Sequence, residues 1–146
     1  FRRVLFRSWN EKVVHCDIKP DNILYDGKNF ILIDLGIAKY IDEPTMTAIG
    51  CIMGTLGYIA PEQIQGRRNL TLKADFYSLG IVAYELITGS HPFNFNQNLI
   101  MENVPMPTIP NSICSDKKLI NTITALTNNV VYKRPFNNIN IKNLLN

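Results

Sequence analysis

The stretch Leu72–Thr88, LKADFYSLGIVAYELIT, constrains this chain's fold more than any other. Leu79, Val82, Ala83 and Leu86 recur at spacings of three and four, and Gly89 stands just past the end as a helix stop. Because the run is apolar on more than one face, it predicts a helix buried at the centre of a domain rather than laid across its surface. With 146 residues, 46% of them apolar and 18% charged, the chain can wrap one core around such a helix and is too apolar to remain disordered. One globular unit is expected.

Before the helix, Ile23 to Tyr25 and the run FILID are separated by DGKN, which predicts two short strands joined by a hairpin turn with an Asp-Gly signal. That hairpin sets Asn22 just ahead of one strand and Asp34 at the end of the other. Residues 36–60 carry Gly36, Gly50, Gly54, Gly57 and Pro44 with no lasting period, so they read as a long loop, a form that is usually functional inside a compact domain. After the helix, Pro105, Pro107 and Pro110 precede a second helix from Asp116 to about Asn128, with Leu119, Ile120, Ile123 and Leu126 on one face. A short third helix is expected from about Ile139 to Leu145.

Composition narrows the partners. The net charge of +3 comes from scattered rather than clustered Lys and Arg, so a nucleic-acid partner is not expected. Cys16, Cys51 and Cys114 are widely spaced with no CxxC pair, as in a reduced, cytoplasmic protein. The longest apolar run, around LGIVAYELI, falls short of the roughly 18 residues that span a bilayer, so no membrane contact is expected within the chain. Phe1 to Ser8, FRRVLFRS, resembles a translated sequencing adaptor and reads as a non-native scar, to be set aside from the fold.

The chemistry concentrates in residues 14–25, VHCDIKPDNILY. Phosphoryl transfer from a nucleotide needs a carboxylate to orient the acceptor, a cation over the moving phosphate, and oxygen ligands for a divalent metal. Asp17 can take the hydroxyl proton, Lys19 can stand against the phosphate, and Asn22 can offer its carbonyl oxygen to the metal. Asp34, returned by the hairpin, supplies a metal-binding carboxylate. The joint pattern HxDxKPxN is far more specific than a lone Asp or Asn capping a turn.

HCDIKPDNIL, DLG at Asp34, GTLGYIAPE from Gly54, DFYSLG from Asp75, TGSHPF from Thr88 and KRP from Lys133 resemble, in that order, the eukaryotic-type protein kinase family. Lys19 with Thr55 is similar to its serine/threonine branch, and APEQ and TMTAIG to bacterial members. The resemblance implies an α+β, mainly α fold: the large, C-terminal lobe of a kinase (residues 9–146), with a short β-hairpin at the catalytic site. It also implies ATP and Mg²⁺ (or Mn²⁺) as donor and metal, and proteins as substrates. By position, Asp17 would be the catalytic base, Lys19 the phosphate-contacting cation, Asn22 and Asp34 the metal ligands, and Leu24 the floor under the adenine. Thr55 would seat the substrate hydroxyl near Asp17 and Lys19, and Thr45 and Thr47 match activation-loop phosphosites. Glu62 and Arg134 should form a buried ion pair, and Asp75 should accept hydrogen bonds from the catalytic-loop backbone around His15.

Two departures stand out. Leu35 replaces the phenylalanine of the metal-binding motif, one apolar plug for another. Cys16 occupies the place of an arginine that ordinarily pairs with activation-loop phosphate; a thiol has neither charge nor fork, leaving Lys39 as the obvious local cation. Only 14 residues precede His15, so the glycine-rich loop, strand lysine and helix glutamate of a small lobe are not in the chain. Two other readings follow from the same residues: a pseudokinase or scaffold module, and a small-molecule phosphotransferase of the aminoglycoside type, whose relatives lack the GTxxYxAPE segment.

Overall fold

The computed structural model describes residues 13–34, 39–40, 54–67 and 69–135. Two small antiparallel sheets lie at the start. Strand β1 (Val13–Val14) pairs with β4 (Lys39–Tyr40), and β2 (Ile23–Tyr25) pairs with β3 (Phe30–Leu32) in the register Ile23 to Leu32, Leu24 to Ile31 and Tyr25 to Phe30. The second is the hairpin expected from the sequence. Its turn is closed by Asp26, whose carboxylate accepts the amides of Asn29 (2.6 Å) and Lys28 (2.9 Å). Those bonds hold the Asp26 carboxyl below the usual carboxylate range. Gly27 takes φ +89°, a left-handed conformation that comes most cheaply without a Cβ.

Helices follow in order: α1 (Pro61–Ile64), α2 (Leu72–Thr88), α3 (Gln97–Met101) and α4 (Lys117–Leu126). The long helix α2 has the predicted bounds. Thr71 caps its start by accepting the Lys73 amide, and Gly89 ends it at φ +71°. Its buried residues include Phe76, Tyr77, Ile81 and Val82, each 1% exposed or less. A side chain of that size gains about 1.5–3 kcal/mol on leaving water. Around it gather Ile18, Tyr58, Ile59, Phe93 and Ile100, which makes α2 the axis of the core. The sequence stripe is corrected at one position: Leu86 is 67% exposed. Spacing shows which residues share a helix face, but not which faces the neighbouring segments cover.

Helix α4 lies within the span expected from Asp116 to about Asn128 but ends at Leu126, and Asp116 is its cap, accepting the amides of Lys118 and Leu119. It packs on α2, burying Ile123 with Tyr84 and Ile109. They meet tightly at Gly80, where an added Cβ would stand 2.5 Å from Thr127 Cγ2 and 3.0 Å from Leu126 Cβ. The third helix expected from about Ile139 lies outside the described residues. No helix among the described residues is long and apolar enough to cross a membrane.

Gly80→Ala should destabilise the fold by about 1–3 kcal/mol, read as a lower urea midpoint at unchanged m-value. Adding Thr127→Ser, which removes Cγ2, should restore part of the loss. An unchanged midpoint in Gly80→Ala would show that the two helices are not in contact there.

Candidate active site

Site geometry starts from a carboxylate on the buried helix. Asp75, 1% exposed in the first turn of α2, accepts the His15 amide through Oδ2 (2.9 Å) and the Cys16 amide through Oδ1 (3.0 Å). Buried amides without partners would cost about 1–3 kcal/mol each, so this carboxylate fixes the loop's path. Cys16 is held at φ +67°, in the left-handed region that residues with a Cβ rarely adopt. Its carbonyl is taken by Gln63 Nε2 at 3.0 Å from helix α1, so the strained residue is gripped on both sides. The buried His15 ring adds a further tie: Nε2–H donates to the Ile33 carbonyl (3.2 Å) while Nδ1 accepts the Asp17 amide (3.3 Å). Those partners select the Nε2–H tautomer.

From that loop Asp17 meets three residues named from the sequence. Its Oδ1 accepts both the Thr55 amide (2.8 Å) and the Thr55 hydroxyl (2.7 Å). Its Oδ2 accepts Asn22 Nδ2 at 3.1 Å and stands 3.7 Å from Lys19 Nζ. A carboxylate has about four acceptor positions, so the bonds named leave Oδ2 with one more. Gly54, just before Thr55, has φ +119°, and a Cβ there would stand 2.8 Å from the Cys16 carbonyl oxygen. Only glycine lets residues 54–55 close on the loop in this way.

Asn22 ends a single 3-10 turn, Pro20–Asn22, and its Nδ2 also donates to the Asp17 carbonyl at 2.9 Å. With Nδ2 so used, Oδ1 is the atom left to accept or ligate. The Ile33 amide donates to the Asn22 carbonyl (2.8 Å), so the two strand ends are tied and Asp34 follows one residue later, at φ +62°. Asn22 Oδ1 and the exposed Asp34 carboxylate suit Mg²⁺, which takes oxygen ligands and usually completes its shell with water and substrate phosphate. Among the described residues no group of three or more His, Cys, Asp or Glu forms a self-sufficient metal site. Leu24, on the hairpin, is 50% exposed.

Two anchors stand behind the site. Arg134 and Glu62 form a bidentate ion pair, Nη1 to Oε1 at 2.6 Å and Nη2 to Oε2 at 2.9 Å, with both side chains buried. Arg134 also donates to the Asn128 and Lys73 carbonyls (2.7 and 2.8 Å) and lies 4.8 Å over the Tyr77 ring. Tyr58 donates to Glu85 Oε2 at 2.7 Å; burial, with this carboxylate beside it, raises the phenol well above its ordinary pKa. Sequence reasoning missed the Tyr58–Glu85 bond and the grip of Gln63. A glutamine three residues after a helix N-cap signals part of the latter, since Gln63 Oε1 also accepts the Ala60 amide (3.1 Å).

Cys16 is 2% exposed and packs with Val14, Leu70 and Leu72, an apolar setting. Thr45, Thr47 and Leu35 lie outside the described residues, as does the side chain of Lys39.

The protein kinase domain model matches residues 5–146. A probable serine/threonine-protein kinase of Bifidobacterium longum is 36% identical over 130 residues, which cover 84% of this chain and 17% of that protein. Serine/threonine-protein kinase PknA of Mycobacterium tuberculosis is 38% identical over 121 residues, 80% of this chain and 28% of that one. PknA of Corynebacterium glutamicum is 37% identical over 111 residues, 73% and 24% respectively. The chain thus spans between 17% and 28% of these relatives' lengths.

Glu62→Gln should cost about 3–5 kcal/mol in urea unfolding, because it leaves the buried guanidinium without a counter-charge. Arg134→Lys should also be destabilised despite keeping the charge, since an ammonium cannot reproduce the fork. Wild-type stability in both variants would contradict a buried, paired site.

Proposed function

Because the chain belongs to the protein kinase domain family, we propose that it is the catalytic part of a serine/threonine protein kinase. In this reading residues 9–146 are the large, C-terminal lobe and residues 1–8 a non-native scar. The donor is ATP with Mg²⁺ or Mn²⁺, and the acceptors are protein hydroxyls. The observation that carries the reading is the Asp17 carboxylate, fixed by both donors of Thr55 and by Asn22, with Lys19 Nζ 3.7 Å from its Oδ2.

These residues act mainly by placement. Thr55 and Asn22 orient Asp17, so Oδ2 can receive the proton of an acceptor hydroxyl as its oxygen bonds to the γ-phosphorus and the bond from that phosphorus to the departing ADP oxygen breaks. Lys19 stands where negative charge on the transferred group would develop. Asn22 Oδ1 and Asp34 would hold the metal, which when bound neutralises phosphate charge. Leu24 gives the adenine an apolar floor, as it needs no hydrogen bonding from this side. Gln63 and Asp75 keep the strained Cys16 peptide in place, and with it the direction in which Asp17 projects.

Cys16 does not disable this arrangement. Its side chain packs among apolar groups, so activation-loop phosphate has no cation at that position to bind. Phosphate on Thr45 or Thr47 is therefore a weak control in this reading.

In a chain carrying both kinase lobes, Asp17→Asn should lower peptide phosphorylation about 10²- to 10⁴-fold. Thr45→Ala combined with Thr47→Ala should lower it only a few-fold. Transfer undiminished by Asp17→Asn would overturn the proposed function, and a loss of several hundredfold in the double alanine variant would overturn the role given to Cys16.

A further inference from the structure

Between the Thr55 segment and the loop that follows α2 lies a histidine that the mechanism above does not use. His91 is 6% exposed. Its Nε2 meets the Gly57 carbonyl at 3.0 Å, while Nδ1 faces two backbone donors, the amides of Phe93 (3.1 Å) and Phe95 (3.0 Å). With two donors at Nδ1 and an acceptor at Nε2, the ring must be neutral with its proton on Nε2. Asn94 and Phe95 both have positive φ, +48° and +59°. Consecutive left-handed residues with a Cβ need outside support, and the two amides ending on one nitrogen provide it.

On its other side the ring sets the height of the acceptor platform. Gly57 has φ +97° and lies so close that a Cβ would meet Phe95 Cδ1 at 2.9 Å and His91 Nε2 at 3.2 Å. Phe95 stacks on His91 with ring centres 4.2 Å apart, and Tyr58 meets it edge-on at 5.4 Å. Within residues 54–60, Thr55 is anchored on Asp17 and Tyr58 on Glu85. Between those anchors, Gly57 depends on His91, and Leu56 beside it is 51% exposed next to the catalytic residues.

We infer that His91 is a positioning residue for the acceptor: its Nε2–H holds Gly57, and through it Leu56, at the height at which a substrate peptide binds beside Asp17. This rests on the kinase reading and adds a determinant of peptide binding, separate from phosphate transfer. Protonating the ring would put hydrogen on Nδ1, against the Phe93 and Phe95 amides, and release the loop. Among the described residues, the titratable groups facing the ring are Tyr58, on the platform, and Glu85, on α2. Burial lowers the ring pKa from its usual value near 6.5, partly opposed by the Gly57 bond and Glu85. The neutral arrangement is therefore intact at pH 6.5 and above, and is lost only as pH falls through the ring's lowered pKa.

In a chain carrying both lobes, the dissociation constant of a labelled serine peptide, its KM, the ATP KM and kcat would be measured from about pH 5.5 to 8. His91→Asn keeps an acceptor for the loop amides but cannot reach Gly57. It should weaken peptide binding and raise peptide KM about five- to tenfold at pH 7.5, with kcat and ATP KM within about twofold. His91→Gln, whose amide N–H can reach Gly57 but which gives the Phe93 and Phe95 amides no acceptor at the place of Nδ1, should recover part of that loss and should lack the acidic rise in peptide KM shown by wild type. Unchanged peptide binding in both variants, or an equal loss in kcat, would overturn the inference while leaving the kinase reading standing. Wild type that binds peptide with this His91 dependence yet transfers no phosphate would overturn the kinase reading alone. Wild type that does neither would overturn both.

Discussion

One buried carboxylate organises the chemistry of this fold. Asp75 takes the amides of His15 and Cys16, and everything beyond them follows from where that peptide is held. Such a carboxylate in a core is costly unless its acceptor positions are filled. Here they are filled by backbone donors of the loop that carries the reacting groups, so helix burial and loop geometry are one constraint. Helix α2 can supply it because its neighbours Ala74, Phe76 and Tyr77 are themselves buried in the close-packed core. The left-handed Cys16 then turns the chain, and Asp17 projects toward Thr55 and Asn22.

A second constraint comes from the ion pair of Glu62 and Arg134. It joins the segment after Thr55 to the chain beyond α4, and its extra bonds to the carbonyls of Asn128 and Lys73 engage the guanidinium on further sides. Apolar packing positions the helices; directional polar bonds position the loops that lie between them. Loops expose backbone groups that helices and sheets satisfy internally, so each functional loop needs its own buried partner. Asp75 and Gln63 serve the Asp17 loop, while Glu85 and His91 serve the platform.

Much of this was legible in the residues. The apolar run ending at Gly89 defines α2, the Asp-Gly turn defines the hairpin, and spacing alone sets Asn22 and Asp34 at the two strand ends. The family resemblance added the long-range pairs, including Thr55 with Asp17 and Glu62 with Arg134. What stayed hidden depends on contacts without local pattern. The pairing of Val13–Val14 with Lys39–Tyr40 involves two residues a side, too few for an alternating signal. Helix α3, five residues long, has no full amphipathic repeat. The exposure of Leu86 is set by what fails to cover it, and the roles of Gln63 and His91 are set by carbonyls brought near from distant segments. The positions of Thr45 and Thr47 fall outside the described residues.

Site-resolved amide hydrogen exchange in an Asp75→Asn variant tests the central claim most directly. If the carboxylate fixes the loop, the His15 and Cys16 amides should exchange about tenfold faster or more than in wild type. The amides from Phe76 to Thr88 should stay protected, because apolar packing holds that helix. Unchanged protection at His15 and Cys16 would contradict the account, since the loop would then be held by something other than Asp75.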